Sequence, residues 1–595
     1  MTTLIHKRVE LLRSFLQKQG LDAFIFPSTD PHQGEYIPDH WKTRTWISGF
    51  DGSAGTAVVT LRDAALWTDS RYFLAAGEQL KDTPFSLMKE RIEGTPSITE
   101  WLVQVLPAGS RVGIDPTVNA YGSFLAWKEE LKANQMEMVL AGDPAETLWK
   151  DRPVVPTDAI SLQPEEFCGE PVASKLSRIR NKMEQNHAEA VLLSALDEIA
   201  WTLNLRGTDI HCNPVFISYL LIAPQQATLF IYGNKLTPEV SAYLKENDID
   251  IREYSDIEEF LKAFPGKSIM MDLMNTNCAL VEAIPASCPI IDRPSPVALM
   301  KAIKNEAEIK GFRNAMTRDG VAMVHFLKWL EEEMPQNTVT EVSLSNRLEA
   351  FRREQSLYKD ISFDTIAAYG PHAAIVHYEP TVESDIPLER KGLLLLDSGA
   401  QYQDGTTDLT RTIALGPVSE EEMRDYTLVL KGHIALSSAI FPEGTTGTQL
   451  DICARYAMWQ EGINYLHGTG HGVGSYLNVH EGPHQIRMNF MPTPLQAGMT
   501  VTDEPGIYKA GRHGIRIENT LLIGADRETE FGKFLRFEPL TLCPIDKTPI
   551  LLSLLDEKEI NWINRYHQEV YERLSPLLDE AHRNWLKEKT APIIK

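Results

Sequence analysis

Five residues in the last third of this 595-residue chain have the types and spacing to hold metal together: Asp397, Asp408, His471, Glu504 and Glu518. The carboxylates come as two pairs, each spanning a segment with hairpin signals. The apolar run Leu393-Leu394-Leu395-Leu396 ends on Asp397, a polar turn follows at Tyr402-Gln403-Asp404-Gly405, and the chain returns through Thr407-Asp408-Leu409-Thr410-Arg411-Thr412. Asp397 and Asp408 are eleven residues apart with the turn midway, so direct pairing on facing strands would bring their Cβ atoms to roughly 5 Å. Glu504 and Glu518, fourteen apart and centred on Gly511-Arg512-His513-Gly514, repeat the device. Facing carboxylates repel strongly unless cations sit between them. Four carboxylates and one imidazole form a hard, oxygen-rich donor set that suits manganese better than thiolate-seeking metals, with zinc or cobalt as alternatives.

The competing reading is of surface acids near turns, which are common in an acidic chain. The settings weigh against it. Asp397 closes a run of four leucines, so its strand is expected to be buried, and buried acids need partners. Pro505 holds Glu504 in an extended conformation. Between the hairpins, His467-Gly468-Thr469-Gly470-His471-Gly472-Val473-Gly474 alternates glycine with other residues, which leaves backbone that something can approach closely.

Three other motifs fail on physical grounds. His480-Glu481-Gly482-Pro483-His484 has the spacing of a zinc-protease motif, but that chemistry needs a continuous helix, and an interior proline costs a helix about 3 kcal/mol. Gly266-Lys267-Ser268 lacks the first glycine of a phosphate loop, since Leu261 stands in its place. The glycines of 468–474 alternate without the wider final spacing of a dinucleotide fingerprint.

The segments His377-Tyr378-Glu379-Pro380, Asp397-Ser398-Gly399, Thr407 to Thr412, Gly470 to Gly474, Val479-His480-Glu481-Gly482-Pro483, Asp503-Glu504-Pro505-Gly506 and Gly514-Ile515-Arg516-Ile517-Glu518-Asn519 resemble the Xaa-Pro aminopeptidase (aminopeptidase P) family. More broadly they resemble the pita-bread metallopeptidases. The motif match covers about residues 300–540, and the overall length resembles the long, three-domain form. The resemblance implies that Asp408 and Glu518 bridge two divalent metal ions, that Asp397 completes one side, and that His471 and Glu504 complete the other. It also implies a metal-bridging hydroxide as nucleophile, Glu504 as general base and His480 as oxyanion donor. Phe363, His377 and His467 would wall a pocket for proline. Arg516, two residues before Glu518, is read as orienting the ligand carboxylates, and Tyr508 as a weaker candidate for the same role.

The fold class that follows is α/β (α+β): two related creatinase-like α/β domains, 1–155 and 156–300, then a pita-bread catalytic domain with a helical C-terminal extension, 301–595. Proline-rich joints support the divisions, from Pro153 to Pro164 and from Pro285 to Pro296, the latter before a helical stretch from about Lys304 to Met334. An internal repeat relates Leu21–Phe26 with Trp46–Phe50 to Ala188–Leu193 with Trp201–Gly207. In the tail, Ile560, Ile563, His567, Val570, Tyr571 and Leu574 share one helix face before Pro576.

Composition agrees with a soluble enzyme: 43% hydrophobic and 24% charged residues support several cores. The net charge of −24 argues against nucleic acid, which needs a basic face. The longest apolar stretch, near Val215–Ala223, is short of the about 20 residues that span a bilayer, and the first residues carry no apolar signal core. Six unpaired-looking cysteines indicate reduced thiols and a cytoplasmic location. The expected activity is release of the N-terminal residue from peptides with proline second, in a homodimer by resemblance. The alternatives are a prolidase acting on Xaa-Pro dipeptides and a non-catalytic peptide-binding protein on the same scaffold.

Overall fold

A computed structural model describes residues 2–594. The chain forms two compact units: residues up to 163 with 170–297, and 164–169 with residues from 298 onward.

The first unit contains two six-stranded sheets of the same strand order. In each, the first strand of the copy is central. Ala23–Phe26 pairs antiparallel with Thr56–Thr60 and parallel with Arg111–Ile114. Ala190–Leu193 pairs the same way with Ser218–Ile222 and Ile269–Met271. Both central strands are wholly buried and apolar, as strands covered on both faces must be. The helix Thr2–Gln19 supplies such cover by burying Ile5, Val9, Leu12 and Leu16 against Leu21, Phe24 and Phe26, the spacing of one helix face. The repeat seen in the sequence extends to the caps: the helix Thr43–Ser48 ends on Gly49 (φ 79°) and the helix Leu196–Leu203 on Asn204 (φ 52°), both left-handed. The two sheets are tied by buried His32. Burial lowers its pKa to about 3, so the ring is neutral: Nδ1 donates to Ser194 O (2.9 Å) and Nε2 accepts from the Tyr254 hydroxyl (3.0 Å).

The second unit opens with the 28-residue helix Glu306–Glu333. It buries Ala322, Met323, Phe326 and Leu330 against Leu394 and Leu396, so its apolar face covers the strand that carries Asp397. That strand, Leu393–Ser398, is buried throughout, as four leucines suggested, and lies between Ile366–Tyr369 and Leu409–Ala414. A four-stranded sheet runs in the order Ile440–Pro442, Gly532–Pro539, Asn519–Thr529, Thr500–Asp503. The tail forms the helix Glu557–Leu574, which buries Ile560, Ile563, His567, Val570 and Leu574. Trp562 and Tyr566 join this face, while Tyr571 is only partly buried at its edge. Among the described residues, no helix is long and apolar enough to cross a membrane.

Asn305 starts the long helix: its Oδ1 accepts from Ala307 N (2.9 Å) and Glu308 N (3.0 Å), while its Nδ2 donates to Cys168 O (2.8 Å). Asn305→Ala should lower the calorimetric unfolding midpoint by the equivalent of about 1–2 kcal/mol. Asn305→Asp, which keeps the acceptor and loses the donor, should lower it by less. Equal losses would show that the cap does not hold this helix start.

Candidate metal centre

In the first hairpin Asp397 pairs with Thr410 and Ser398 with Leu409. Asp408 therefore lies one residue past the ladder, a diagonal neighbour of Asp397 on the same face rather than its direct partner. The offset arises because the turn builds a small ladder of its own, Ala400–Tyr402 against Gly405–Thr406. The second hairpin is broken at its acids. Asp503 pairs with Asn519 and Gly506 with Arg516, so the register is the same on both sides and Glu504 faces Glu518 across the gap. Backbone bonds from the gap sew the pieces together: Glu518 N donates to Thr410 O (3.1 Å) and Glu504 N to Thr469 O (2.8 Å), two residues before His471.

The glycines around His471 serve that sewing. A Cβ on Gly470 would overlap Thr502 O, one on Gly472 would overlap Glu481 O and the His484 ring, and one on Gly474 would crowd Asn478 O. The close approach anticipated from the alternating glycines is made by the protein's own backbone.

The five side chains converge. Donor atoms of Asp408, His471 and Glu518 lie within 4.8 Å of one another. His471 Nδ1 donates to Gly472 O (2.9 Å), which turns Nε2 toward Asp408 Oδ2 (3.4 Å) and Glu504 Oε1 (3.6 Å). Asp397 Oδ2 takes two bonds from Arg516, from Nη2 (2.6 Å) and Nε (3.1 Å). Its Oδ1 is buried and receives no hydrogen bond from the described residues. Burial foremost, with Asp408 and Asp397 adding to it against the pull of Arg516, raises the Glu504 carboxyl to about 8. Burial and then Asp408, Asp397 and Glu504 drive Glu518 well above the usual carboxylate range. Asp397 is raised too, by burial, against the lowering effect of Arg516. An orphaned carboxylate oxygen amid mutually repelling acids, beside a correctly turned imidazole, fits divalent cations.

The other residues singled out from sequence lie around this centre. The His480 ring stands 4.4 Å from His471, steeply inclined to it. His467 Nδ1 donates to Gly468 O (2.6 Å), so its Nε2 accepts from the Tyr508 hydroxyl (2.8 Å), which in turn accepts from Arg516 Nη1 (2.7 Å). Tyr508 is thus tied to the site through Arg516, and burial raises its phenol to about 12. Half-buried His377 follows Val376, whose carbonyl accepts from Arg516 Nη2 (3.4 Å). Half-buried Phe363 follows Ser362, which donates to Thr407 O (2.8 Å) beside Asp408. The rejected zinc-protease motif is extended: Glu481 and His484 lie on the strand Glu481–Ile486, and Glu481 pairs with Lys301 (2.7 Å) and Lys304.

Several supports were not singled out. Thr410 Oγ1 donates to Glu518 Oε2 (2.7 Å) and accepts from Arg516 Nε (3.2 Å). Its position two residues after Asp408, on the same face of the strand, was the available signal. Asp451 and Arg455, four apart on the helix Gly447–Gln460, hold the histidine loop: Arg455 donates to Asp451 (2.5 Å), Tyr465 O (2.5 Å) and His467 O (2.9 Å), and Asp451 accepts from Thr469 (2.5 Å).

The chain is similar to known proteins over nearly its whole length. The family model "Metallopeptidase family M24" matches residues 310–525 and that for the C-terminal region of peptidase M24 matches 533–593. "Creatinase/Prolidase N-terminal domain" models match 8–148 and 151–308. Aminopeptidase P2 of Arabidopsis thaliana is 42% identical, over 97% of this chain and 86% of its own length. Xaa-Pro aminopeptidase 1 of Dictyostelium discoideum is also 42% identical, over 99% and 97%. The crystal structure of X-prolyl aminopeptidase from Caenorhabditis elegans, described as a cytosolic enzyme with a di-nuclear active site, superposes with a TM-score of 0.95 at 36% identity, covering 99% of this chain and all of that one.

Gly470→Ala forces the His471 strand away from Thr502. It should lower the metal content of the purified protein, measured by elemental analysis. Gly524→Ala, whose Cβ would meet no atom within 4 Å, should leave it unchanged. Equal metal content in both variants would remove the close approach at Gly470 from the site's requirements.

Proposed function

This chain belongs to metallopeptidase family M24, in its Xaa-Pro aminopeptidase branch, and we propose that Asp397, Asp408, His471, Glu504 and Glu518 hold the two divalent cations with which it releases the N-terminal residue from peptides that have proline second. The observation that carries the assignment is the convergence of four carboxylates and a turned imidazole, with Asp397 Oδ1 left without a donor. Asp408 and Glu518 would be shared by both cations, Asp397 would hold one of them, and His471 with Glu504 would hold the other. Manganese suits this hard donor set best. The cytoplasm is the proposed location, as for the C. elegans enzyme, and a homodimer the proposed assembly by likeness to the family.

When bound, the cations supply Lewis-acid polarisation of the scissile carbonyl and a water acidic enough to act near neutral pH. The chain's own residues supply the rest. Glu504 takes the proton released by the attacking water. Arg516 fixes Asp397 and keeps one of its oxygens turned inward. His480, beside His471, donates to the carbonyl oxygen as negative charge grows there, a contact that strengthens only in the transition state. His480→Ala should therefore keep its metal content while kcat falls roughly 10²–10³-fold. Loss of metal in this variant would make His480 a ligand and enlarge the set.

Specificity follows from the bond that is cut. A proline after it makes the scissile amide tertiary, with no N–H for the enzyme to bind, and fixes φ near about −65°. Shape must replace the missing hydrogen bond, and Phe363, His377 and His467 are the proposed walls. His467 is suited to this because its ring is held by the Tyr508 hydroxyl on one edge and Gly468 O on the other. Xaa-Pro-Xaa peptides with varied first residues should be cleaved well, since filling a pocket discriminates by only about 1–3 kcal/mol per group. Matching Xaa-Ala-Xaa peptides should be far slower, and N-terminal blocking should abolish cleavage. Equal rates on proline and alanine peptides would indicate a general aminopeptidase; cleavage of Xaa-Pro dipeptides alone would indicate a prolidase.

A further inference from the structure

The tail helix Glu557–Leu574 reaches beneath the candidate metal centre through one hydroxyl. Tyr566 OH accepts from Arg411 Nη2 (2.8 Å) and lies within donating distance of Thr541 O (2.9 Å) and Cys543 O (3.0 Å). Arg411 is itself buried, at 1% exposure. It donates to Glu518 O (2.6 Å), Thr410 O (2.9 Å), Asn519 Oδ1 (2.8 Å), Cys543 O (2.8 Å) and Pro544 O (3.2 Å). Each of these acceptors is neutral. With the Tyr566 hydroxyl these acceptors number six for five N–H groups: Nη2 faces three of them with two hydrogens, so the hydroxyl shares a hydrogen and helps aim the fork. Its fork spans the backbone of Thr410 and Glu518, the residues whose side chains share the 2.7 Å bond inside the site.

The same group orders the neighbouring glutamate. Arginine can only donate, so Asn519 must turn Oδ1 to Arg411 and Nδ2 to His433 Nε2 (3.2 Å). That nitrogen then accepts, which leaves the proton on Nδ1 to donate to Asp503 O (3.1 Å). A continuous chain of hydrogen bonds therefore runs from Tyr566 through Arg411, Asn519 and His433 to Asp503. It passes under Glu518 and ends at the residue before Glu504.

We propose that Tyr566 and Arg411 are positioning residues, through which the helix Glu557–Leu574 sets the affinity of the centre for its cations. The inference rests on the two-cation reading above. Tyr566→Phe keeps the ring that stacks on Trp562 (5.3 Å, 9°) and removes only the hydroxyl. Its Kd for Mn2+, measured by competition with a fluorescent chelator, should rise about 10- to 100-fold, the usual effect of losing a group that orients a ligand. Excess Mn2+ should restore activity, with KM for an Xaa-Pro-Xaa peptide unchanged. His433→Gln, at the other end of the chain of hydrogen bonds, where the ring meets Trp562 edge-on (5.7 Å), should raise the Kd in the same direction. An unchanged Kd in folded Tyr566→Phe overturns the proposal. Should that variant not fold, an unchanged Kd in His433→Gln overturns it equally. An unmodified chain that binds no Mn2+ overturns the two-cation reading and this inference together, whereas equal binding by unmodified and variant chains overturns the inference alone.

Discussion

Mutual repulsion among four carboxylates, three of them buried and Glu504 half-buried, is the constraint on which the second unit is built. At an effective dielectric near 20, two unit charges about 4 Å apart oppose each other by about 4 kcal/mol. Arg516 is placed directly on Asp397, and Glu504 and Glu518 are still pushed toward their protonated forms. An arrangement that costs so much without cations selects for them. It also explains why the surrounding frame is so heavily bonded, since acids on flexible loops would simply move apart. Thr410, Arg411 and Thr412 each reach across to the second hairpin, so the two hairpins cannot separate without breaking buried polar contacts that water cannot replace.

The acids were legible because hairpins write themselves into local sequence. An apolar run, a polar turn and a return strand fix the spacing of Asp397 and Asp408 within a dozen residues. What local sequence could not show was the ladder inside the turn, which shifted that pair from opposed to diagonal. The supports were harder still. Thr410 and Glu518 are 108 positions apart and Arg411 and Tyr566 are 155 apart, and nothing in either neighbourhood marks the other. In the tail the apolar stripe showed which face is buried, but not that its one hydroxyl ends on a buried arginine. The N-terminal repeat was visible in its central strands and its helix ends. The shared strand order, with a parallel partner arriving from some 80 or 90 residues away, depends on crossovers that periodicity does not encode.

The polar residues between the metal centre and the proposed proline pocket form one connected set. Arg516 joins Asp397 to Tyr508, and Tyr508 joins His467. Arg516 can only donate to the Tyr508 hydroxyl, and that hydroxyl in turn holds His467 Nε2 at 2.8 Å. A flat, uncharged ring is the kind of surface a pyrrolidine can pack against. One guanidinium is therefore bonded to a proposed ligand and, through one hydroxyl, to a proposed pocket wall, so the two proposed roles share a rigid element.

Four of the five proposed ligands sit where a ladder is irregular, while Asp397 is paired regularly with Ile366 and Thr410. Asp408 lies one residue past the end of its strand, Glu504 and Glu518 occupy the gap between two ladders, and the pairing of the His471 strand shifts register at His471 and Gly472. An unbroken antiparallel ladder sends successive side chains to opposite faces and spaces them evenly, which cannot focus five donors on one point. Breaks and bulges re-aim side chains, at the cost of backbone groups that lose their ladder partners. Here those groups are satisfied across elements: Glu518 N by Thr410 O, Glu504 N by Thr469 O, Asp408 O by the Thr520 hydroxyl. The irregularities that aim the ligands thus also release the backbone groups that bind the hairpins to one another. Site geometry and scaffold rigidity have the same physical origin.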